Sequence, residues 1–154
     1  MSMVTQSAAQ TQAQGRRLAA QLRAGDVVLL CGTLGAGKSE LARGIARGLG
    51  ITGPVPSPSF TIMQVYTDGR LPLYHFDWYR ICGAEELYEL SMEEYLLGDG
   101  VAVVEWPEQA PEALPDARLR VTIAAPDVHT RRFTFAPEGG FRALDLAALE
   151  EEFA

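Results

Sequence analysis

One octapeptide constrains the fold of this chain more than any other feature. Residues 32–39 read Gly-Thr-Leu-Gly-Ala-Gly-Lys-Ser, which matches the pattern G-x-x-x-x-G-K-[ST] in full. An apolar run precedes it at residues 27–31, and a segment of helical character follows at residues 40–49. A strand that delivers a glycine-rich turn into a helix N-terminus presents backbone N–H groups and a helix dipole to phosphate oxygens. The pattern therefore predicts a P-loop that binds a nucleoside triphosphate.

Two side chains of this loop have predicted roles. Lys38 would reach the β- and γ-phosphates as a point charge, which makes it a catalytic candidate, and the Ser39 hydroxyl would bind Mg²⁺. The alternative is an ordinary glycine-rich turn with an exposed lysine. The predicted nucleotide-binding residues of the segment are Thr33, Leu34, Gly35, Ala36, Gly37, Lys38, Ser39 and Glu40.

Length and charge limit the classes of protein that this chain can belong to. With 154 residues, 47% of them hydrophobic, it fits a single domain over residues 1–154. Residues 1–10 are expected to be frayed, because little in them could be buried. The net charge of −7 argues against a broad nucleic-acid-binding face, which needs clustered Lys and Arg. Because no signal peptide or membrane-length apolar run is visible, we expect a cytoplasmic protein without membrane contact.

Periodicity and turn residues predict the order of elements along the chain. The Asp-Gly pair at 68–69 indicates an antiparallel hairpin, and the alternation around 126–127 indicates a second, closing hairpin. Helices are predicted at residues 11–23, 40–48, 84–97 and 144–153, and strands at 27–31, 61–66, 71–76, 101–104, 118–124 and 131–135.

Two carboxylates follow predicted strands directly. Glu105 ends the fully apolar run 101–104, and Asp77 ends the less apolar run 73–76. A P-loop needs one acid to hold Mg²⁺ and another group to position the nucleophile. The burial pattern favours Glu105 for the metal and Asp77 for the nucleophile, whereas the alternative for each is a carboxylate that caps the next loop. His75 shares a strand face with Asp77, and packing is the favoured interpretation for it.

The loop at residues 54–61 contains three prolines, which make it extended and stiff. It presents Ser57, Ser59 and Thr61 shortly after the predicted P-loop helix, where switch-type loops lie. A plain connection between helix and strand explains it equally well. Cationic candidates for a nucleotide contact are Arg80, Arg131 and Arg132, and at most one of them is expected to make it.

Four blocks taken together resemble a known family. They lie at residues 35–39, 57–61, 75–80 and 104–107, and read Gly-Ala-Gly-Lys-Ser, Ser-Pro-Ser-Phe-Thr, His-Phe-Asp-Trp-Tyr-Arg and Val-Glu-Trp-Pro. Their order and spacing resemble the TsaE (YjeE) family, the small P-loop ATPases of tRNA threonylcarbamoyladenosine biosynthesis. The resemblance covers roughly residues 11–135.

The resemblance implies a fold, ligands and site residues. The implied fold is α/β, a P-loop NTPase-type mainly parallel sheet flanked by helices, with added antiparallel hairpin strands. The implied ligands are ATP or ADP with Mg²⁺, and Ser39 and Glu105 would hold the metal. Asp77 would lie close to the γ-phosphate. The implied switch-like loop would include Ser57 and Thr61, and the nucleotide-binding set would extend to Arg131.

The resemblance also implies an activity and partners. The chain would be a Mg²⁺-dependent ATPase, weak without partners, required for the N6-threonylcarbamoyladenosine modification at position 37 of tRNA. It would act with the threonylcarbamoyl-transferase protein and its paralogous partner subunit, and would meet tRNA only through that complex. The alternatives are a small-molecule or nucleoside kinase, or a nucleotide-dependent binding module with negligible hydrolysis. Two positions depart from the family pattern: Thr33 stands where Asp is common, and Glu40 where Thr or Ser is common.

Overall fold

A computed structural model of the chain describes residues 2–33 and 35–150. All described strands join one seven-stranded sheet. In chain order they are β1 (Ser2–Thr5), β2 (Val27–Cys31), β3 (Met63–Tyr66), β4 (Leu73–Asp77), β5 (Val101–Glu105), β6 (Arg118–Ala124) and β7 (Arg131–Glu138). The α-helices are α1 (Ala8–Ala19), α2 (Lys38–Gly48), α3 (Ala84–Glu89) and α4 (Leu146–Leu149), and short 3-10 helices cover Glu93–Leu97, Pro107–Gln109 and Pro111–Ala113.

The strand order across the sheet is β1-β7-β6-β2-β5-β4-β3, which places β2 at the centre. The four strands β6, β2, β5 and β4 run parallel to their neighbours in this group. Antiparallel strands extend both sides, with β3 on β4 at one edge and β7 and β1 at the other. Both predicted hairpins are confirmed, and the sheet is mixed, since it is parallel only in its four central strands.

Two hydrophobic cores lie on opposite faces of the sheet. Successive side chains of a strand point to opposite faces, so Val101 and Val103 of β5 join one core while Ala102 and Val104 join the other. The first core packs against α1, α2 and α4, and the second against α3 and the 3-10 helices. β2 is therefore apolar throughout, because both of its faces are covered.

Helices α1 and α2 cross at very close range through glycines. A Cβ atom added at Gly15 would lie 2.6 Å from the carbonyl oxygen of Leu41, and one added at Gly44 would collide with the carbonyl oxygen of Gln12. Only glycine leaves room for the two backbones at these positions. The crossing holds the N-terminal end of α2, where the glycine-rich loop arrives, against α1.

The prediction that residues 1–10 are frayed is wrong for residues 2–10. β1 pairs antiparallel with β7, and its Met3 and Thr5 side chains are buried at 6% and 0% exposure. The Thr5 hydroxyl shares a 2.7 Å hydrogen bond with that of Thr11, and Ser7 caps α1 by accepting from the Gln10 N–H. The pairing partner lies some 130 residues away in the sequence, so local composition could not indicate this strand. Met1 lies outside the described residues.

Several predicted helix bounds also need correction. The helix predicted at 11–23 runs from Ala8 to Ala19. The helix predicted at 84–97 ends at Glu89 and resumes as a 3-10 helix, because Ser91 adopts a left-handed conformation with φ 56°. The helix predicted at 144–153 is observed over Leu146–Leu149, and its residues 151–153 lie outside the described part of the chain. None of the described helices has the length and apolar character needed to cross a bilayer.

Candidate functional site

The glycine-rich loop connects the central strand to α2 as the motif predicts. α2 begins at Lys38, and its N-cap is Gly37, whose φ of 109° is disfavoured for any residue with a Cβ. A Cβ at Gly32 would lie 2.6 Å from the carbonyl oxygen of Ile123 on β6. The loop therefore leaves the sheet close to β6 and ends at a helix N-terminus with unsatisfied backbone donors, which is a geometry suited to phosphate.

Lys38 folds back over the loop. Its ammonium nitrogen donates to the carbonyl oxygens of Gly32 at 2.6 Å and Thr33 at 3.4 Å, and lies 3.5 Å from the centre of the Trp106 ring. Burial lowers the pKa of the Lys38 amine, and the negative charges of Glu105, Glu108 and Asp77 oppose that effect. The amine is thus held by carbonyl and aromatic contacts that phosphate oxygens could replace.

Asp77 and Glu105 lie side by side at the carboxyl ends of adjacent parallel strands. They are register partners of β4 and β5, so both side chains point to the same face of the sheet. Both residues are buried, at 5% and 3% exposure. Val101, Val103 and Leu73 on that same side of the strands belong to the core against α2. The two strand-end acids that the sequence indicates are therefore brought together beside the glycine-rich loop.

Asp77 is held by two neighbouring groups. The backbone N–H of Tyr79 donates to its Oδ1 at 2.9 Å, and the hydroxyl of Ser57 donates to its Oδ2 at 3.4 Å. Burial raises the pKa of the Asp77 carboxyl, and the nearby Glu105 charge acts in the same direction, while the Tyr79 and Ser57 hydrogen bonds oppose the shift. Ser57 thus ties the proline-rich loop directly to a strand-end acid.

Glu105 is held by a different partner. Its Oε2 lies 2.7 Å from Nε2 of His75, and the two side chains are 4% and 1% exposed. His75 lies on β4 two residues before Asp77, on the same face of the strand. The expectation that His75 is a packed residue is correct as to its burial, but the sequence did not indicate its hydrogen bond to the candidate metal ligand.

These residues surround a cavity of about 480 Å³. The predicted site residues Lys38, Asp77, Glu105 and Ser57 all line it. Trp106, for which the sequence predicts no role, lines it as well. The full lining is Gly35, Gly37, Lys38, Ser39, Glu40, Ser57, Ser59, Asp77, Tyr79, Arg80, Glu105 and Trp106. Of the three candidate arginines, Arg80 is the one that lines this cavity.

A second cavity of about 330 Å³ adjoins the first and shares Gly35, Gly37 and Glu40 with it. Arg131 lines this second cavity, and its Nε would lie 3.6 Å from a Cβ added at Gly37. The guanidinium group donates to backbone carbonyl oxygens of its own turn, at 3.1 Å for Asp127 and 2.9 Å for Thr130. Arg131 therefore stands beside the glycine-rich loop on the side away from the two carboxylates.

Some predicted site residues lie elsewhere. Thr61 is exposed, accepts a 3.1 Å hydrogen bond from the Gln64 side chain and does not line the first cavity, although Ser57 of the same loop does. Ala36 is buried, and its N–H donates to the Thr33 carbonyl oxygen at 3.1 Å. Leu34 lies outside the described residues. Thr33 is exposed and joins the site through its carbonyl oxygen.

The donor set suits a hard divalent cation bound together with phosphate. Among residues 2–33 and 35–150 there is no group of three or more His, Cys, Asp and Glu side chains that could hold a metal without help. Mg²⁺ is commonly held by one or two carboxylates, with phosphate oxygens and water completing the shell. Glu105, Asp77 and the Ser39 hydroxyl line one cavity and offer only oxygen ligands, so the residues present fit Mg²⁺ with a polyphosphate.

Fold and site together define a class of protein. A central parallel strand delivers a glycine-rich loop to a helix N-terminus, and neighbouring strands end in acids that face the same cavity. This arrangement is typical of α/β proteins that bind phosphate-bearing ligands at the carboxyl ends of their strands.

Comparison with known proteins gives a more particular assignment. The family model "Threonylcarbamoyl adenosine biosynthesis protein TsaE" matches residues 5–133. A TsaE protein of Bacillus subtilis is 45% identical over 130 residues, which cover 84% of this chain and 81% of the relative. A TsaE protein of Treponema pallidum is 38% identical over 136 residues, covering 88% of this chain and 100% of the relative.

A solved structure agrees with these matches. The crystal structure of Bacillus subtilis YdiB superimposes with a TM-score of 0.77 at 40% identity, covering 91% of this chain and 86% of YdiB. The chain belongs to the TsaE family, whose matched members are named for tRNA threonylcarbamoyladenosine biosynthesis.

Proposed function

We propose that this protein binds and hydrolyses ATP with Mg²⁺ and is required for the N6-threonylcarbamoyladenosine modification of tRNA. One observation supports the nucleotide site above all: Lys38 at the N-terminus of α2, with Asp77 and Glu105 at the ends of β4 and β5, lines a single cavity. These positions are consistent with a P-loop NTPase, in which a phosphate cradle would face one acid that binds the metal and a second acid. Membership of the TsaE family supports the pathway.

In this proposal the triphosphate occupies the first cavity. Backbone N–H groups at the start of α2 bind the phosphate oxygens, and Lys38 exchanges its carbonyl contacts in the loop for the β- and γ-phosphates. The second cavity, which shares the loop glycines and contains Arg131, takes the nucleoside end of the ligand. Its volume of about 330 Å³ is large enough for a ring system.

Mg²⁺ would be held by Ser39 and Glu105, and when bound it neutralises charge on the phosphate oxygens. Asp77 is the residue left to orient the attacking water. Its Oδ1 and Oδ2 are positioned by Tyr79 and Ser57, and a fixed carboxylate can accept a hydrogen bond from a water molecule aligned with the γ-phosphate. The reaction releases ADP and inorganic phosphate.

Ser57 connects Asp77, the residue proposed to orient the water, to the proline-rich loop. The loop at residues 54–61 contacts Asp77 through Ser57 and places Ser59 in the cavity wall, while its Phe60 is 83% exposed. Arg80 lies over the Phe60 ring at 4.3 Å. A partner that contacts this loop would therefore sense the state of the nucleotide site. We infer that the partners are the threonylcarbamoyl-transferase protein and its paralogous subunit.

Variants of the three charged residues test the proposed activity. Lys38→Ala should lower the rate of ATP hydrolysis about 100-fold, because it removes a charge that stabilises the transferring phosphoryl group. Glu105→Gln should lower the rate of ATP hydrolysis by a similar factor and weaken the Mg²⁺ dependence of nucleotide binding. Asp77→Ala should retain ATP binding in calorimetry while losing hydrolysis. Hydrolysis at the wild-type rate in Lys38→Ala and Glu105→Gln would refute the assignment, and ATP binding without any turnover would favour a binding module.

A further inference from the structure

The candidate metal ligand Glu105 has one side-chain anchor in the described part of the chain. That anchor is His75, whose Nε2 lies 2.7 Å from Glu105 Oε2. Oε1 has no hydrogen-bond partner among the described residues, whereas the neighbouring Asp77 has both oxygens engaged. One oxygen of Glu105 is therefore fixed by the protein and the other is left for a ligand in the cavity.

The proposed metal-binding role of Glu105 determines which nitrogen of His75 carries the hydrogen of this bond. A carboxylate that binds a metal is ionised and can only accept, so Nε2 must donate. His75 Nδ1 is buried and has no hydrogen-bond partner among residues 2–33 and 35–150. A buried nitrogen without a partner is uncommon, and it leaves the bond to Glu105 as the one polar interaction that this ring makes within those residues.

The sheet holds the backbone of His75 on both sides. β4 lies between β5 and β3, so the backbone of His75 is paired with Val103 on one side and Gln64 on the other. The side chain is 1% exposed, so close packing leaves the ring little room to turn away from the carboxylate. Its ring acts as a fixed donor that holds Glu105 in one orientation.

We propose that His75 is a positioning residue for the metal, which acts by fixing the Glu105 carboxylate so that Oε1 remains available to Mg²⁺. This inference rests on the proposed function, because it needs Glu105 to bind the metal. Groups that orient a metal ligand from behind typically change metal affinity by about 10- to 100-fold when they are removed. His75 should therefore determine metal affinity while contributing nothing directly to phosphate binding.

Two variants of similar polarity separate positioning from packing. In His75→Gln the side-chain amide nitrogen falls near the place of Nε2 and can still donate to Glu105. In His75→Asn the amide nitrogen falls near the place of Nδ1 and is too short to reach it. A third variant, His75→Met, fills the buried site without any donor, so the test survives if the Asn variant fails to fold. Circular dichroism and thermal unfolding check each fold.

The readout is binding of ADP to the full chain by calorimetry, measured once in saturating Mg²⁺ and once in EDTA. The dissociation constant in EDTA divided by that in saturating Mg²⁺ reports how much the metal strengthens ADP binding. His75→Asn and His75→Met should lower this ratio about tenfold or more with ADP affinity in EDTA unchanged, and His75→Gln should stay close to wild type. Electron paramagnetic resonance of bound Mn²⁺ should show the same order of affinities.

Two results would overturn the inference: one rejects only the role of His75, and the other rejects the proposed function as well. If folded His75→Asn and His75→Met keep the wild-type ratio, His75 only packs, and the proposed nucleotide site is unaffected. If the wild-type chain shows no Mg²⁺ dependence or does not bind ADP, the proposed function fails, and the inference fails with it.

Discussion

The ammonium group of Lys38 contacts the indole ring of Trp106, 3.5 Å from the ring centre, across the candidate phosphate site. Trp106 immediately follows Glu105 and adopts a left-handed backbone conformation with φ 59°. A non-glycine residue in this region is strained, and such strain persists where the surroundings hold it. The contact links the residue that would bind phosphate to the residue after the one that would bind metal.

Nucleotide binding should break this contact and alter the emission of Trp106. Phosphate oxygens compete with the aromatic face for the Lys38 ammonium, so adding ATP with Mg²⁺ should change the tryptophan fluorescence saturably. The other tryptophan, Trp78, is fully buried in the second core and should not respond. Trp106→Phe should remove the fluorescence change. A change retained in this variant would contradict the claim that nucleotide binding breaks the contact between Lys38 and Trp106.

Asp77→Asn should stabilise the protein while it impairs hydrolysis. Asp77 is buried beside Glu105, so its charge is costly in the unliganded chain, and Asn can still accept the Tyr79 N–H. We expect a gain of about 1 kcal/mol in the free energy of unfolding in denaturant titration. Asp116→Asn, at an exposed position, is the matched control and should change neither property. Reduced stability in Asp77→Asn would show that the carboxylate charge is satisfied in the free protein.

The strands of the sheet centre were predictable from the sequence because their signals are local. β6 is observed at the predicted residues 118–124, and β5 differs from its prediction only by including Glu105. Apolar runs and alternation depend on neighbouring residues, so a sequence pattern contains them. β1 was missed, since its stability comes from pairing with β7 at the other end of the chain.

The residues of the candidate site also fall into those with a local sequence signal and those that depend on distant pairing. The loop motif and the strand-end acids Asp77 and Glu105 are visible as patterns, and the structure brings them together. The bond from His75 to Glu105 depends on the register of two strands, which no spacing reveals. Trp106 belongs to the block Val-Glu-Trp-Pro, but nothing in that block indicates the left-handed turn through which it enters the cavity wall. Thr61 is predicted to belong to a switch-like loop with Ser57, and in the structure it accepts a hydrogen bond from the Gln64 side chain.

Gly44→Ala should separate α1 from α2 and destabilise the fold. The added methyl group would meet the backbone of Gln12, which cannot yield as a flexible side chain would. Overpacking of this kind costs about 1–3 kcal/mol, and we expect the upper end of that range. Gly53→Ala is the control, because a Cβ there meets no atom within 4 Å. Equal stability of the two variants in thermal unfolding would refute the close packing of these helices.

Glu138→Gln should weaken the β6–β7 end of the sheet in a pH-dependent manner. The carboxylate accepts from Arg120 Nε at 2.9 Å and Arg118 Nε at 2.8 Å, and these bonds hold the pKa of Glu138 below its ordinary value. Because the Glu138 side chain is 32% exposed, solvent screening limits the loss in the free energy of unfolding to about 1 kcal/mol.

The sign of this pH dependence follows from the lowered pKa. The stabilisation by Glu138 is fully present above the ordinary glutamate pKa of about 4.3, and it is lost as the pH falls through the lower folded value. In denaturant titration, the free energies of unfolding of wild type and Glu138→Gln should therefore differ at neutral pH and converge as the pH falls through the lowered pKa of Glu138. Glu112→Gln, at an exposed carboxylate, should show no such difference. A gap that widens at low pH would contradict the paired geometry.

The most direct test of the central claim is the level of N6-threonylcarbamoyladenosine in the tRNA of a host depleted of its own copy of this protein. Wild type should restore the modified base, and so should Arg16→Ala, which removes an exposed arginine of α1. Lys38→Ala, expressed at the same level, should leave the tRNA unmodified, because the nucleotide site no longer neutralises phosphate charge. Full restoration by Lys38→Ala would contradict the claim that nucleotide binding at this loop serves tRNA modification.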